Sequence, residues 1–223
     1  MGFNGPDATD YENVLALNHA WLELAQRDAG LQRGLDGMAV ELRKRMTSLS
    51  SSQTARLAKT PFLLFSFREA DEAYWTRTLA ERPGAGLFDI RSTDDTETLI
   101  SAALGFIWQL ARRNPYALRV ICGATLYWSE RIAELTFFEL LDAVRATGDP
   151  PVARFGEHRD LWRKLLGSGV SRQLLSCHAA QMTALQSILT HATEARQDKL
   201  TLAARSMAVP EQRIAKSNET TQT

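Results

Sequence analysis

Apolar residues recur every three or four positions over most of the chain, which is the spacing that places them on one side of an α-helix. In the first such segment, residues 10–28, Val14, Leu17, Trp21 and Leu24 follow 3-4-3 spacing. The same periodicity predicts further helices over 38–47, 51–59, 69–80, 96–113, 118–146, 158–166 and 171–199. The pattern therefore predicts an all-α protein, a multi-helix bundle.

Breaks in the periodicity indicate where the helices begin and end. Ser50 and Gln53 have the spacing of a capping box, which predicts a helix start at Ser51. Gly123 is expected to kink one long helix over 118–146, and residues 148–156 are expected to form a loop. Residues 61–67 (PFLLFSF) are continuously apolar, which fits a buried strand and a buried helical turn equally well. Since no second strand is predicted to pair with them, we expect helical or irregular structure there.

A cluster of proline, glycine and capping residues over 81–94 (ERPGAGLFDIRSTD) predicts a boundary between two packed helical halves. The expected organisation is an N-terminal helical region at 1–81, a linker at 82–94, a C-terminal helical bundle at 95–199 and a mobile tail at 200–223. Each of the five tryptophans occurs in an apolar helical setting, and core packing is expected for most of them.

Composition narrows the classes of function. Twenty-six basic and 26 acidic residues give a formal net charge of zero, which argues against tight autonomous binding to DNA or to an anionic membrane. The longest apolar stretch, 99–111, is too short to span a bilayer, and the first ten residues show no signal-peptide pattern. We expect a cytoplasmic protein that does not enter the membrane.

Enzyme motifs are absent from the sequence: there is no nucleotide-binding glycine loop, nucleophile elbow, zinc-protease helix or calcium loop. Cys122 and Cys177 are 55 residues apart, and neither belongs to a CxxC motif, so we expect two reduced thiols. The sequence predicts a non-enzymatic protein without metal or cofactor. A catalytic alternative would have to use polar groups from several helices, and these candidates are Arg119, Tyr127, Glu130, His158 and Cys177.

Two basic clusters are candidates for contact with phosphates. The first ends the second predicted helix and continues on the third, with Arg43, Lys44, Arg45, Arg56 and Lys59. The second is Arg154, Arg159, Arg163 and Lys164, with His158 and Arg172 nearby. The competing interpretation is that both clusters are simply solvent-exposed surface. In the first cluster, Arg43 to Arg45 would then be stabilised by the dipole at the end of their helix.

Two phrases in the N-terminal region, NHAWLELAQR (18–27) and LSSSQTARLAKTPFLLFSFR (49–68), resemble the flagellar transcriptional activator FlhD family. The matching residues are Leu22, Leu24, Ala25 and Gln26 in the first phrase, and Leu49, Gln53, Leu57, Ala58, Phe67 and Arg68 in the second. The resemblance covers about a quarter of the chain. The spacing between the phrases is shorter than in that family, and some 140 further residues have no counterpart in it.

The resemblance implies an all-helical bacterial transcriptional regulator or co-regulator that forms homo-oligomers and acts with a regulatory protein partner and DNA. Residues 38–59 would then be a helix-turn-helix-like segment, with Arg43, Lys44, Arg45, Gln53, Arg56 and Lys59 as candidate DNA contacts. Self-association would use the first helix through Leu17, Trp21 and Leu24.

A helical adaptor or assembly factor without DNA contact is the alternative function. In the last predicted helix, Leu175, His178, Met182, Leu185, Leu189 and Ala192 follow the 3-4 repeat of a coiled coil. This repeat would pack against another chain, with Leu185 and Leu189 as interface candidates, or against the chain's own helices at 96–146.

Overall fold

The computed structural model describes residues 5–80 and 94–207, with side chains for 5–80 and 94–190. Within these ranges the chain forms eleven α-helices, two 3-10 turns and one pair of very short strands, so the all-α prediction is confirmed. The α-helices, numbered α1 to α11, are Ala8–Arg27, Ala29–Gln32, Val40–Thr47, Ser51–Leu57, Glu72–Ala80, Asp95–Arg113, Pro115–Cys122, Leu126–Glu134, Phe137–Thr147, Arg159–Gly167 and Leu174–Met207. The 3-10 turns are Arg33–Leu35 and Ser168–Val170.

Local capping chemistry explains most of the helix starts. The predicted capping box at Ser50 and Gln53 is present at the start of α4. The expectation of one long helix over 118–146 is wrong, because three helices occupy this stretch. Gly123 adopts a left-handed conformation (φ 64°) that ends α7, and Thr125 and Thr136 cap the starts of α8 and α9. These side chains satisfy backbone N–H groups that a continuous helix would not leave free.

The apolar run at 61–67 contributes a strand, which corrects the expectation of helical or irregular structure throughout. β1 (Phe65–Ser66) pairs antiparallel with β2 (Val152–Ala153), a segment that was expected to be a loop. The backbone before β1 is irregular, and the buried amide of Asn18 on α1 satisfies it. Its nitrogen lies 2.8 Å from the Phe62 carbonyl oxygen, and its oxygen accepts from the backbone N–H of Leu64 at 2.8 Å.

The two predicted halves pack on one continuous hydrophobic core. α1 lies against α6, and β1 from the first half pairs with β2 from the second. Arg113 at the end of α6 bridges Asp7 at 2.8 Å and also contacts Asp10, which ties the start of α1 to the second half. Of the predicted linker, only Asp94 belongs to the described residues, and it caps α6.

Candidate functional site

The helix-turn-helix-like segment consists of α3, a three-residue connection and α4. α3 packs against α1 and α10, and α4 packs against α1 and the Ser168–Val170 turn. α4 has only seven residues and is covered on two sides. Its exposed positions are Ser51, Ser52 and Ala55, with Lys59 just beyond its end, so the helix offers few side chains for reading base edges.

Four of the six predicted DNA contacts in this segment have polar partners, and Gln53 and Arg43 are the first two. The backbone N–H of Ser50 donates to Oε1 of Gln53 at 2.9 Å, and this side chain is half-buried. Arg43 forms an ion pair with Asp36 at 2.5 Å. Lys44 is exposed on α3. The capping role of Gln53 leaves it poorly suited to contact a base.

Arg45 and Arg56 are both held by backbone carbonyl groups around the end of α10. Nε of Arg45 donates to the Leu166 carbonyl at 3.0 Å, and Nε of Arg56 donates to the Val170 carbonyl at 2.7 Å. A terminal nitrogen of Arg56 also lies 3.5 Å from the hydroxyl oxygen of Ser52. Because a guanidinium group carries five N–H donors, both arginines still have terminal N–H groups able to donate further. Both side chains are therefore positioned with donor capacity remaining.

Lys59 and Arg172 extend this cluster. Gln181 on α11 donates to the backbone carbonyl of Arg56 at 3.2 Å, which brings the end of α4 against α11. Burial raises the pKa of the Cys177 thiol on α11, and the charges of Arg56 and Lys59 oppose that rise. Arg172 is exposed and follows Val170 by two residues. We call the surface formed by Arg45, Arg56, Lys59 and Arg172 the basic face.

The basic face arises because two stretches of sequence without acidic residues pack together. Residues 42–68 contain six Lys and Arg and no Asp or Glu, and residues 161–193 contain three Lys and Arg and no Asp or Glu. Arg68 is not part of the basic face, because its guanidinium forms an ion pair with Asp149 at 2.5 Å. Zero net charge for the whole chain therefore conceals a local excess of positive charge.

The second predicted basic patch does not form as expected. Arg154 is buried, with 5% of its side chain exposed, and is therefore not part of any surface. Arg159, Arg163 and Lys164 are exposed on α10, but Arg163 pairs with Asp160 at 2.6 Å. An open groove of about 420 Å³ between α10 and α11 has a lining of both signs: Glu157, Asp160, Arg159 and Lys164.

Arg154 instead forms a buried ion pair with Glu69, at 3.0 Å. Its guanidinium donates to the carbonyl oxygens of Leu63 and Phe65, each at 2.6 Å, and to that of Cys122. This network joins β1, the end of α7 and β2. Sequence analysis missed it because the partners are 85 residues apart and no periodicity links them.

The predicted dimer contacts on α1 belong to the chain's own core. Leu17, Trp21 and Leu24 are at most 7% exposed, so they are not available to a second chain. Leu185 and Leu189 on α11 are half-buried.

The five polar groups of the catalytic alternative do not gather in the groove, whose lining includes His158 but none of the other four. Cys122 is fully buried, and burial raises the pKa of its thiol.

In the part of the chain that the structure describes, no three His, Cys, Asp or Glu side chains come together as a metal site would require. Over residues 5–80 and 94–207, no helix has both the length and the apolar character needed to cross a bilayer.

We compared the chain with known protein families, proteins and structures. No protein-family model, curated protein or solved structure matches this chain.

Proposed function

We propose that this protein is a transcriptional regulator or co-regulator that contacts DNA phosphates through its basic face. The observation that carries the proposal is that Arg45 and Arg56 are both held by backbone carbonyls at the end of α10 and the turn after it, with exposed Lys59 and Arg172 close to them in sequence. Guanidinium groups bind phosphate oxygens through charge-assisted, often bidentate hydrogen bonds, and a side chain already held in place loses less freedom on binding.

The geometry supports backbone contact rather than base reading. α4 is short and covered by α1 and the Ser168–Val170 turn, and Gln53 is engaged in a cap. Phosphate contacts position a protein on DNA but carry no sequence information directly. A protein with this surface would obtain its promoter specificity from a partner, which fits the co-regulator implied by the resemblance to FlhD.

The first test is binding to a duplex DNA labelled with a fluorophore, followed by anisotropy between about 50 and 200 mM salt. Lys59→Glu combined with Arg172→Glu changes two exposed cations that have no structural hydrogen bond in the described contacts. Since each phosphate contact contributes about 0.9 to the slope of log affinity against log salt, we expect the slope to fall by about 1.8. The affinity itself should fall at least about tenfold at the lower salt concentration.

A matched control removes the same charge elsewhere. Arg33 and Arg77 are exposed and lie outside the two acid-free segments, so Arg33→Glu combined with Arg77→Glu alters net charge equally. We expect this pair to weaken binding much less. Equal weakening by the two pairs, or salt-independent binding by the unaltered protein, would overturn the proposal.

A crosslinked pull-down from the native cell then tests the regulatory role. Enrichment of a few discrete promoters together with a protein partner supports a co-regulator. Co-purified proteins without DNA would instead support the helical adaptor, which the exposed apolar positions of α11 favour.

A further inference from the structure

Two neighbouring leucines at the start of α11 are the most exposed large apolar side chains in the part of the chain that the structure describes. Leu174 and Leu175 are each 81% exposed, whereas Tyr127 on α8, the next most exposed, is at 57%. Burial of a leucine side chain is favourable, so a pair left this open gains stability from a surface outside the monomer. The surroundings of the pair indicate the chemistry of that surface.

Helical spacing places Leu174 on the side of α11 that faces the basic face. Cys177 and Gln181 follow it by three and seven residues and therefore share its side of the helix. The Cys177 thiol donates to the carbonyl oxygen of Gly169 at 3.0 Å, and Gln181 donates to that of Arg56 at 3.2 Å. Because helical side chains tilt toward the N-terminal end, Leu174 projects beyond these two contacts, at the edge of the basic face.

Cations lie beside the leucine pair, and this stretch of sequence has no acids. Arg172 is exposed and precedes Leu174 by two residues. Arg56 is held at the carbonyl of Val170, four residues before Leu174. Residues 161–193 contain no Asp or Glu. A complementary surface therefore carries negative charges with a small apolar site between them.

Duplex DNA has both properties. Two rows of phosphates border the minor groove, and the faces of adjacent base pairs become accessible to an apolar side chain when the step between them opens. Leucine is among the side chains that proteins insert at such steps. The charge and the size of the leucine pair both fit this site.

An anionic bilayer carries the same charge but fits the apolar part less well. Even a myristoyl chain gives only marginal attachment to a membrane. Two leucine side chains contain fewer apolar carbons than that chain, so they would anchor the protein weakly. At a base step, by contrast, a wedge of one or two side chains fills the space that opens.

We propose that Leu174 and Leu175 form a wedge that enters the minor groove of DNA bound to the basic face, unstacks one base step and bends the duplex. This inference rests on the proposed function and adds a response to DNA sequence, which phosphate contacts lack. Pyrimidine–purine steps such as TA unstack most easily, so the wedge favours a site with a TA step. The expected bend is about 20–90° toward the major groove.

The test uses the full chain and a duplex of about 25 base pairs with one central TA step. Dyes at the two ends report bending through energy transfer, and 2-aminopurine in place of the adenine of the TA step reports unstacking through its fluorescence. We expect both signals to rise on binding. A duplex with GC in place of the TA step should bind at least about fivefold more weakly, the lower end of what one recognised base pair contributes.

Leu174→Ala combined with Leu175→Ala removes the wedge and keeps every charge. We expect this variant to lose the bend, the 2-aminopurine signal and the preference for TA. The slope of log affinity against log salt should stay unchanged, because the phosphate contacts remain. Leu174→Met combined with Leu175→Met should retain the bend, since methionine also serves as a wedge.

Tyr127→Ala combined with Phe138→Ala is the matched control, because these apolar side chains are 57% and 54% exposed on α8 and α9. This control should bend DNA as the unaltered protein does. Salt-dependent binding without a bend, or a bend that the alanine pair at Leu174 and Leu175 leaves intact, overturns the wedge and leaves the basic face in place. Absence of DNA binding overturns both proposals.

The same variants are sedimented with vesicles that contain phosphatidylserine. We expect no leucine-dependent binding to these vesicles. Vesicle binding by the unaltered protein that is lost when Leu174 and Leu175 are alanine would assign the pair to a lipid surface and overturn the wedge.

Discussion

Arg154 shows how far the role of one residue depends on the whole fold. In the sequence it is one of several cations near α10, and in the structure it is a buried donor to three backbone carbonyls and to Glu69. A buried ion pair is stable only where additional hydrogen bonds satisfy its remaining groups, and this network provides them. Arg154 therefore stabilises the junction between β1, β2 and α7.

Replacing this arginine should be strongly destabilising. Arg154→Met leaves the Glu69 carboxylate buried with the Ser66 hydroxyl but without its cation, and it leaves three carbonyl oxygens without the guanidinium donor. We therefore expect a loss of about 3–5 kcal/mol in the free energy of unfolding. Urea denaturation followed by circular dichroism measures the loss. The exposed Arg159→Met is the control and should change stability by less than about 0.5 kcal/mol.

The double variant Glu69→Leu with Arg154→Met separates the effect of an unpaired Glu69 charge from the loss of the contacts that Arg154 makes. Removing the second charge should recover part of the lost stability, because the uncompensated carboxylate is gone. A loss of less than 1 kcal/mol in Arg154→Met would show that the network contributes little.

At the residue scale, the sequence predicted what depends on local environment. Burial of most tryptophans was expected and is found, with Trp21, Trp75, Trp128 and Trp162 at most 3% exposed. The surroundings of Arg154 consist of carbonyl groups from distant segments, so no local pattern could indicate them. The same holds for the basic face, since Arg56 and Val170 are brought together by the fold and not by spacing.

At the element scale, α11 explains why a helix could be predicted and its buried side could not. Periodicity correctly indicated the helix, which continues to Met207, beyond its predicted end. Hydrophobicity favoured the Leu and Met positions as the packed side. The buried side chains are instead Cys177, Ala180, Gln181, Ala184 and Ile188, so the side of α11 that faces the core is offset from the Leu and Met positions.

The close approach of α11 to the end of α7 can be tested at Gly123. Its φ of 64° is strained for any other L-residue, and an added Cβ would lie 3.0 Å from Cγ2 of Ile188 on α11. Gly123→Ala should therefore lower the free energy of unfolding by about 1–2 kcal/mol, because alanine is strained in the left-handed conformation. Displacement of α11 by the added Cβ should lower it further.

Gly148 provides the matched control for this prediction. It has nearly the same φ, 63°, but no atom within 4 Å of an added Cβ. Gly148→Ala should cost only the backbone contribution, about 1–2 kcal/mol. Thermal and urea unfolding of both variants measure the difference. Equal losses would show that α11 does not constrain Gly123.

At the scale of the whole molecule, the proline- and glycine-rich stretch at 81–94 does not divide the described chain into separate cores. Composition predicts where a chain turns, but a folding unit is defined by what its apolar residues contact. Here α1 packs on α6, Arg113 bridges to the start of α1, and β1 pairs with β2 across the two halves. Each half leaves its apolar surface exposed without the other.

The two halves should therefore unfold as one cooperative unit. Ile107 on α6 is fully buried in the shared core, so Ile107→Ala should cost about 2–5 kcal/mol. Hydrogen exchange measured by mass spectrometry should report this same loss for the slowest amides of α1 and of α6, because both exchange only through global unfolding. Leu22→Ala on α1 is the reciprocal variant. It should lower the protection of the slowest amides in α1 and in α6 by the same amount. Loss of protection confined to the mutated half would mean two independent domains, and the shared core would then be a docking contact between them.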